Sequence, residues 1–149
     1  MQGTCMASKN EDIFINLRDN VAFLVVEDDH GHYLLTEYCL RKAGIQNEII
    51  WFENGQQILD FLNGDGHPRK EGNKYIMLLD IKMPKVDGIE VLKEIKSDRH
   101  LMDISTIMFT TSNDKHLVAK CYDLGCDAHI IKPPGKVLLQ AIARLAQRI

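Results

Sequence analysis

The chain has no apolar run near the ~20 residues that cross a bilayer, so no spanning helix is expected. Its first twenty residues carry Lys9, Glu11, Asp12, Arg18 and Asp19. They have no apolar core of secretory type, and the expected compartment is the cytoplasm. An excess of positive charge is also missing: the formal net charge is -3. That weighs against nonspecific nucleic-acid binding, which needs a basic surface against phosphates. Cysteine is sparse, and Cys5, Cys39, Cys121 and Cys126 form no C-x-x-C pair and no zinc-like spacing with histidine. Cys39 and Cys121 fall on apolar helical faces and read as buried free thiols, with a disulfide the minor alternative in a reducing compartment. There is no internal repeat. What remains is an ordinary composition, 45% hydrophobic and 26% charged over 149 residues, which suits one soluble domain around one core.

Residues 1–20 lack periodicity and read as an N-terminal tail, so the folded domain is expected over 21–149. Val21–Val26 is a continuous apolar run, the mark of a strand buried on both faces. A helix is expected over His30–Ala43 with Leu34, Leu35, Tyr38 and Cys39 inward, stopped by Gly44. A strand over Glu48–Phe52 and a short helix over Gln56–Leu62 follow, with Ile58, Phe61 and Leu62 inward. Asn63–Lys74 is rich in glycine and reads as a long loop. Three further pairs are expected: strand Tyr75–Leu79 with helix Gly88–Asp98 (Val91, Leu92 and Ile95 inward), strand Thr106–Thr110 with helix Asp114–Leu124 (Leu117, Val118 and Cys121 inward), and strand Ala128–Ile131 with helix Lys136–Arg148 (Leu138, Ala141, Ile142 and Leu145 inward). Five alternating units imply an α/β fold, a doubly wound parallel sheet covered on both faces. The flavodoxin-like (βα)5 order 2-1-3-4-5 is the commonest for five strands, and its ligands sit at the carboxyl ends of the strands.

Those ends carry the chemistry. The first strand ends in Glu27-Asp28-Asp29, the third in Asp80, the fourth in Thr110 and the fifth in Lys132. Glu27, Asp28 and Asp80 bring three negative charges and Lys132 returns one positive. Like charges about 4 Å apart repel by about 4 kcal/mol at an effective dielectric of roughly 20. Such a cluster either raises carboxylate pKa values or holds a cation, and all-oxygen donors suit Mg²⁺. A carboxylate beside a metal is a nucleophile suited to phosphorus. The cation and Lys132 would then neutralise phosphoryl oxygens, with Thr110 donating a further hydrogen bond.

FLVVED at Phe23–Asp28, LLD at Leu78–Asp80, MPKVDG at Met83–Gly88, FTTS at Phe109–Ser112 and IKPP at Ile131–Pro134 together resemble the signature segments of response-regulator receiver domains of the chemotaxis type. The resemblance runs from Val21 to Ile149. Its joint spacing, 30 residues from Asp80 to Thr110 and 52 from Asp80 to Lys132, is the specific part. The long loop after Asn63, the DIKMPKVDG wording and the TTS triplet are most similar to the small regulators of phytochrome-type histidine kinases. The resemblance implies that Asp80 is the phosphoacceptor, that Glu27 and Asp28 hold Mg²⁺ with Asp80, and that Lys82 lends a backbone carbonyl. It implies that Thr110 and Lys132 contact the phosphate, and that the Lys132–Pro133 peptide is cis. It also implies a signalling module of a two-component system rather than an enzyme, served by a sensor histidine kinase. The switch pair would be Thr110 and His129, acting on the face of the fourth helix, fifth strand and fifth helix, the expected partner or homodimer site. Two positions depart from the family: Pro134 stands where Phe is frequent, and His129 where Tyr or Phe is frequent. No DNA-binding module is expected after Ile149.

Plainer readings stand beside these. His30 and His32 read as exposed helix-start side chains rather than metal ligands, and Asp29 as an N-terminal acid that favours the helix dipole. Thr111 competes with Thr110, but the 22-residue step to Lys132 favours Thr110. Ser112-Asn113-Asp114 reads as an N-cap region. A dehalogenase-type phosphatase would place a second Asp two residues after the nucleophile, where this chain has Lys82. A phosphorylation-independent interaction module on the same scaffold is the remaining alternative. Such modules commonly lack the Asp or the Lys that this chain keeps.

Overall fold

The computed structural model describes residues 13–64 and 72–149. Five strands, β1 (Val21–Val26), β2 (Ile49–Phe52), β3 (Lys74–Leu79), β4 (Ser105–Thr110) and β5 (Ala128–Ile131), form one parallel sheet in the order β2-β1-β3-β4-β5. Five helices alternate with them: α1 (His30–Lys42), α2 (Gly55–Leu62), α3 (Gly88–Ser97), α4 (Lys115–Leu124) and α5 (Lys136–Ala146). This is the flavodoxin-like (βα)5 fold that the alternation implies, with boundaries within two residues of those read from the sequence.

The sheet is apolar on both faces because helices cover both. Ala22, Leu24, Val26, Met77 and Leu79 pack with α2, α3 and α4. Phe23, Val25, Ile76, Leu78 and Ile107 pack with α1 and α5. Helix starts are fixed by side chains that accept from orphan backbone N–H groups: Asp29 from His32, Asn54 from Gln57, Asp87 from Glu90, and Asp114 from His116 and Leu117. Gly125 closes α4 in a left-handed conformation, φ 108°.

The inward faces of α2, α3 and α5 are those expected, with Ile58, Leu92, Ile95, Leu138 and Ile142 fully buried. On α1 the expectation is wrong. Leu34, Leu35 and Tyr38 are exposed, and the helix buries Tyr33, Thr36 and Leu40 instead. The face that meets the sheet is the one that stacks Tyr33 on Trp51 at a centroid distance of 4.7 Å and seats Leu40 in the core, which leaves the denser apolar stripe outward. On α4 only Cys121 is buried, while Leu117 and Val118 are half-buried. Cys121 and Cys126 are buried free thiols, and burial pushes Cys126 up to about 12. Cys39 is free but half-buried, and Cys5 lies outside the described residues.

Ahead of β1, Ile15 is buried and its N–H donates to the Ala43 carbonyl at 2.9 Å. The Lys74 N–H donates to the Asn20 carbonyl at 2.9 Å. Residues 1–12 of the segment read as a tail, and residues 65–71 of the long loop, lie outside the described residues.

Candidate functional site: an acidic rim at the carboxyl end of the sheet

The parallel ladder positions the site. Pairing of Val26 with Leu79 brings the ends of β1 and β3 level. The ladder then runs one residue further: Asp80 N–H donates to the Val26 carbonyl at 3.1 Å, Glu27 N–H to Phe52 at 2.9 Å, and Lys132 N–H to Thr110 at 2.8 Å. The residues that leave the strands are therefore held by backbone hydrogen bonds, and their side chains meet over one rim.

Glu27 and Asp80 are both buried, at 4% and 8% exposure. The Lys132 ammonium reaches across to them. It donates to Asp80 Oδ2 at 3.0 Å and to Glu27 Oε1. The second oxygens are also engaged: Glu27 Oε2 accepts from Asp29 N–H at 3.1 Å, and Asp80 Oδ1 from Ile81 N–H at 2.8 Å. Burial raises the pKa of Glu27. Lys132 and the Asp29 N–H pull it back down, and the charge of Asp80 adds to the rise. Asp28 is exposed, and one oxygen each from Glu27, Asp28 and Asp80 lie within 4.8 Å of one another. Three hard carboxylate oxygens with residual negative charge, beside a solvent-facing edge, fit a divalent cation of the magnesium type.

Thr110 ends β4, almost wholly buried, and its Oγ1 accepts from Ser112 N–H at a long 3.4 Å. Thr111, the other hydroxyl candidate, is exposed. Lys82 is exposed on the β3–α3 loop. That loop is pinned at its far end: Gly88 N–H donates to the Ile81 carbonyl at 2.8 Å, and a Cβ at Gly88 would lie 2.0 Å from the Asp80 carbonyl oxygen. Gly55 at the start of α2 presses on the same loop, since a Cβ there would lie 2.2 Å from the Val86 carbonyl oxygen. The Lys132–Pro133 peptide is cis, as the resemblance implies. His129 is half-buried on β5, and its backbone N–H donates to the Tyr122 hydroxyl at 3.1 Å. Among the described residues its Nε2 is buried with no hydrogen-bond partner, and burial lowers the pKa of the ring.

Two residues at the rim escape sequence reasoning. His32, read as a bare helix-start side chain, has Nδ1 at 3.1 Å from Lys132 Nζ and 3.8 Å from Glu27 Oε2. Trp51 donates its indole N–H to the Glu27 carbonyl at 2.8 Å and stacks with His30 and Tyr33, at centroid distances of 5.0 and 4.7 Å. A histidine three residues after the N-cap and the sole tryptophan on a neighbouring strand were the available signals.

An acidic triad, a lysine and a buried threonine at these strand ends define the class. The profile of the response regulator receiver domain matches residues 23–144, and the chain belongs to that family. Among its relatives, the response regulator Rcp1 of Synechocystis is 32% identical over 109 residues, 73% of this chain and 74% of that protein. The Mn²⁺-bound crystal structure of Rcp1 aligns with a TM-score of 0.69 at 30% identity, covering 83% of this chain and 90% of that one. The bacteriophytochrome response regulators RtBRR (38% identity, TM-score 0.72, 86% and 78% covered) and AtBRR (35%, 0.73, 88% and 92%) align as well. The relatives thus include phytochrome response regulators of two-component systems. Among the described residues, no helix is long and apolar enough to cross a membrane.

Proposed function

We propose that this receiver accepts a phosphoryl group on Asp80 from a sensor histidine kinase of the phytochrome type. The observation that carries the reading is the Lys132 ammonium at 3.0 Å from Asp80 Oδ2, beside the oxygens of Glu27 and Asp28. An oxygen of Asp80 attacks phosphorus, the phosphorus–nitrogen bond of the donor phosphohistidine breaks, and the histidine nitrogen leaves with its electron pair. The product is an acyl phosphate. Glu27, Asp28 and Asp80, with the backbone carbonyl of Lys82, would hold Mg²⁺, which when bound neutralises phosphoryl oxygens as charge develops. Lys132 neutralises another oxygen, and the Thr110 hydroxyl donates to a third.

Receivers are signalling modules, and here the group transferred stays on the protein as a signal. Phosphorylation would draw Thr110 toward the rim and let His129 turn into the space behind it. The unpartnered Nε2 of His129 and the long contact of Thr110 support that pair as the moving part. The face of α4, β5 and α5 would then present the output to a partner or to a second copy of the chain. A protein phosphodonor is supported by the apolar surface beside the site. A groove of about 400 Å³ between α1 and α5, which nears the site through Pro133 next to Lys132, is lined by Phe14, Leu35, Tyr38, Lys42, Pro133 and Pro134.

Acetyl phosphate with Mg²⁺ should give an acid-labile adduct seen by intact mass, and Asp80→Asn should abolish it. An undiminished adduct in that variant would overturn the assignment and favour another acceptor.

A further inference from the structure

An ammonium group has three N–H donors and no acceptor. At Lys132 all three have a named partner: Glu27 Oε1, Asp80 Oδ2 at 3.0 Å and His32 Nδ1 at 3.1 Å. Lysine can only donate, so a hydrogen bond between the two requires His32 Nδ1 to accept, with the ring proton of a neutral His32 on Nε2. His32 is itself fixed. Its backbone N–H donates to Asp29 Oδ1 at 3.0 Å, and its carbonyl accepts from the Thr36 hydroxyl at 3.1 Å. Asp29 N–H in turn donates to Glu27 Oε2 at 3.1 Å. The contacts close a circuit, from Lys132 to Glu27, to Asp29, to His32 and back to Lys132.

From this circuit we propose that His32 is a positioning residue for phosphoryl transfer, holding the Lys132 ammonium in one rotational setting over Asp80. The inference rests on Asp80 being the phosphoacceptor. Once Asp80 carries a phosphoryl group, the lysine N–H that faced Oδ2 is the one free to meet a phosphoryl oxygen. Glu27 and His32 keep the other two. Without an acceptor at position 32, the ammonium loses one of its three fixed directions and its third proton turns to water. A charge-assisted hydrogen bond of this kind, on a partly exposed ring, corresponds to roughly a threefold to tenfold change in rate.

The test uses acetyl phosphate at fixed Mg²⁺, so that docking of a kinase against α1 plays no part. His32→Leu removes the acceptor, whereas His32→Asn offers an amide oxygen in place of Nδ1. The pseudo-first-order phosphorylation rate should fall roughly threefold to tenfold in His32→Leu and largely recover in His32→Asn. Two-bond ¹H–¹⁵N spectra of the unmodified protein should show His32 protonated on Nε2, with an Nδ1 resonance that moves in Lys132→Ala. Equal rates for wild type and His32→Leu, equal losses in both variants, or a proton on Nδ1 would each overturn the proposal. The tautomer readout needs no phosphorylation. A wild type that forms no adduct therefore counts against the acceptor reading, while the spectra still decide whether His32 holds the lysine.

Discussion

The two flanks of the rim differ in how completely their polar groups are satisfied. On the acidic flank both oxygens of Glu27 and of Asp80 accept hydrogen bonds, and the Lys132 ammonium has three polar atoms within reach, from Glu27, Asp80 and His32. On the Thr110 flank, among the described residues, the hydroxyl's contact with Ser112 N–H is 3.4 Å long, and His129 Nε2 is buried without a partner. Buried polar groups are nearly always paired, and a closed network fixes its members more firmly than single contacts do. Under the proposed function the difference would separate two tasks: the acidic flank is already fixed for phosphoryl transfer, and the other flank keeps bonding capacity for a second arrangement.

The largest test of the closed flank is Lys132→Ala. It leaves two buried carboxylates facing each other without a cation, and removing one partner of a buried pair costs about 3 kcal/mol or more. Urea unfolding near neutral pH should register that loss, and Mg²⁺ should restore part of it by binding the folded state. A variant as stable as wild type would mean that the ring of contacts holds nothing in place.

Asp28→Ala comes next. Loss of even an outer partner of a metal commonly costs tenfold or more in affinity, so isothermal titration should show Mg²⁺ binding weakened by at least about tenfold. In the wild type, protons and Mg²⁺ compete for the same oxygens. Because burial raises Glu27, affinity should begin to fall, as pH drops, at a higher pH than an ordinary carboxylate would give. Unchanged affinity in Asp28→Ala would place the cation elsewhere.

The smallest effect belongs to the open flank. Burial lowers the pKa of His129, so between that lowered value and about 6.5 the unfolded chain binds more protons than the folded one. The His129 contribution is whole above about pH 6.5 and is lost as pH falls through the folded-state pKa. Urea midpoints of wild type should therefore drop more on acidification than those of His129→Phe. Parallel profiles would show that His129 stays solvated, and the contrast between the flanks would lose one of its two supports.

Strands were the most legible part of the fold. VAFLVV and YIMLL are apolar without alternation because helices lie on both faces of the sheet, and that pattern is local. Faces of α3 and α5 were legible for the same reason: Val91, Leu92, Ile95 and Leu138, Ile142, Leu145 are the only dense apolar stripes on those helices. Helix α1 carries two stripes. Leu34, Leu35 and Tyr38 form the more hydrophobic one, yet Tyr33, Thr36 and Leu40 are buried. The buried stripe is the one that packs across the fold, with Tyr33 stacked on Trp51 and Leu40 in the core, and no count of apolar residues contains that. The same limit applies at the rim. Strand order brings Glu27, Asp28, Asp80, Thr110 and Lys132 to one edge, and their spacing is readable. The contact of His32 with Lys132 depends on the phase of a helix and the reach of a side chain 100 residues away.

Gly88 shows a different kind of specification. A single methyl group there would sit 2.0 Å from the carbonyl oxygen of Asp80, well inside the ~3.3 Å of an ordinary carbon–oxygen contact. Where the Asp80 carboxylate stands is therefore recorded partly by atoms the chain leaves out. Gly55, against Val86, does the same from the other side. Neither position accepts a side chain without moving that backbone, and Lys85 on the same loop holds a left-handed conformation, φ 66°.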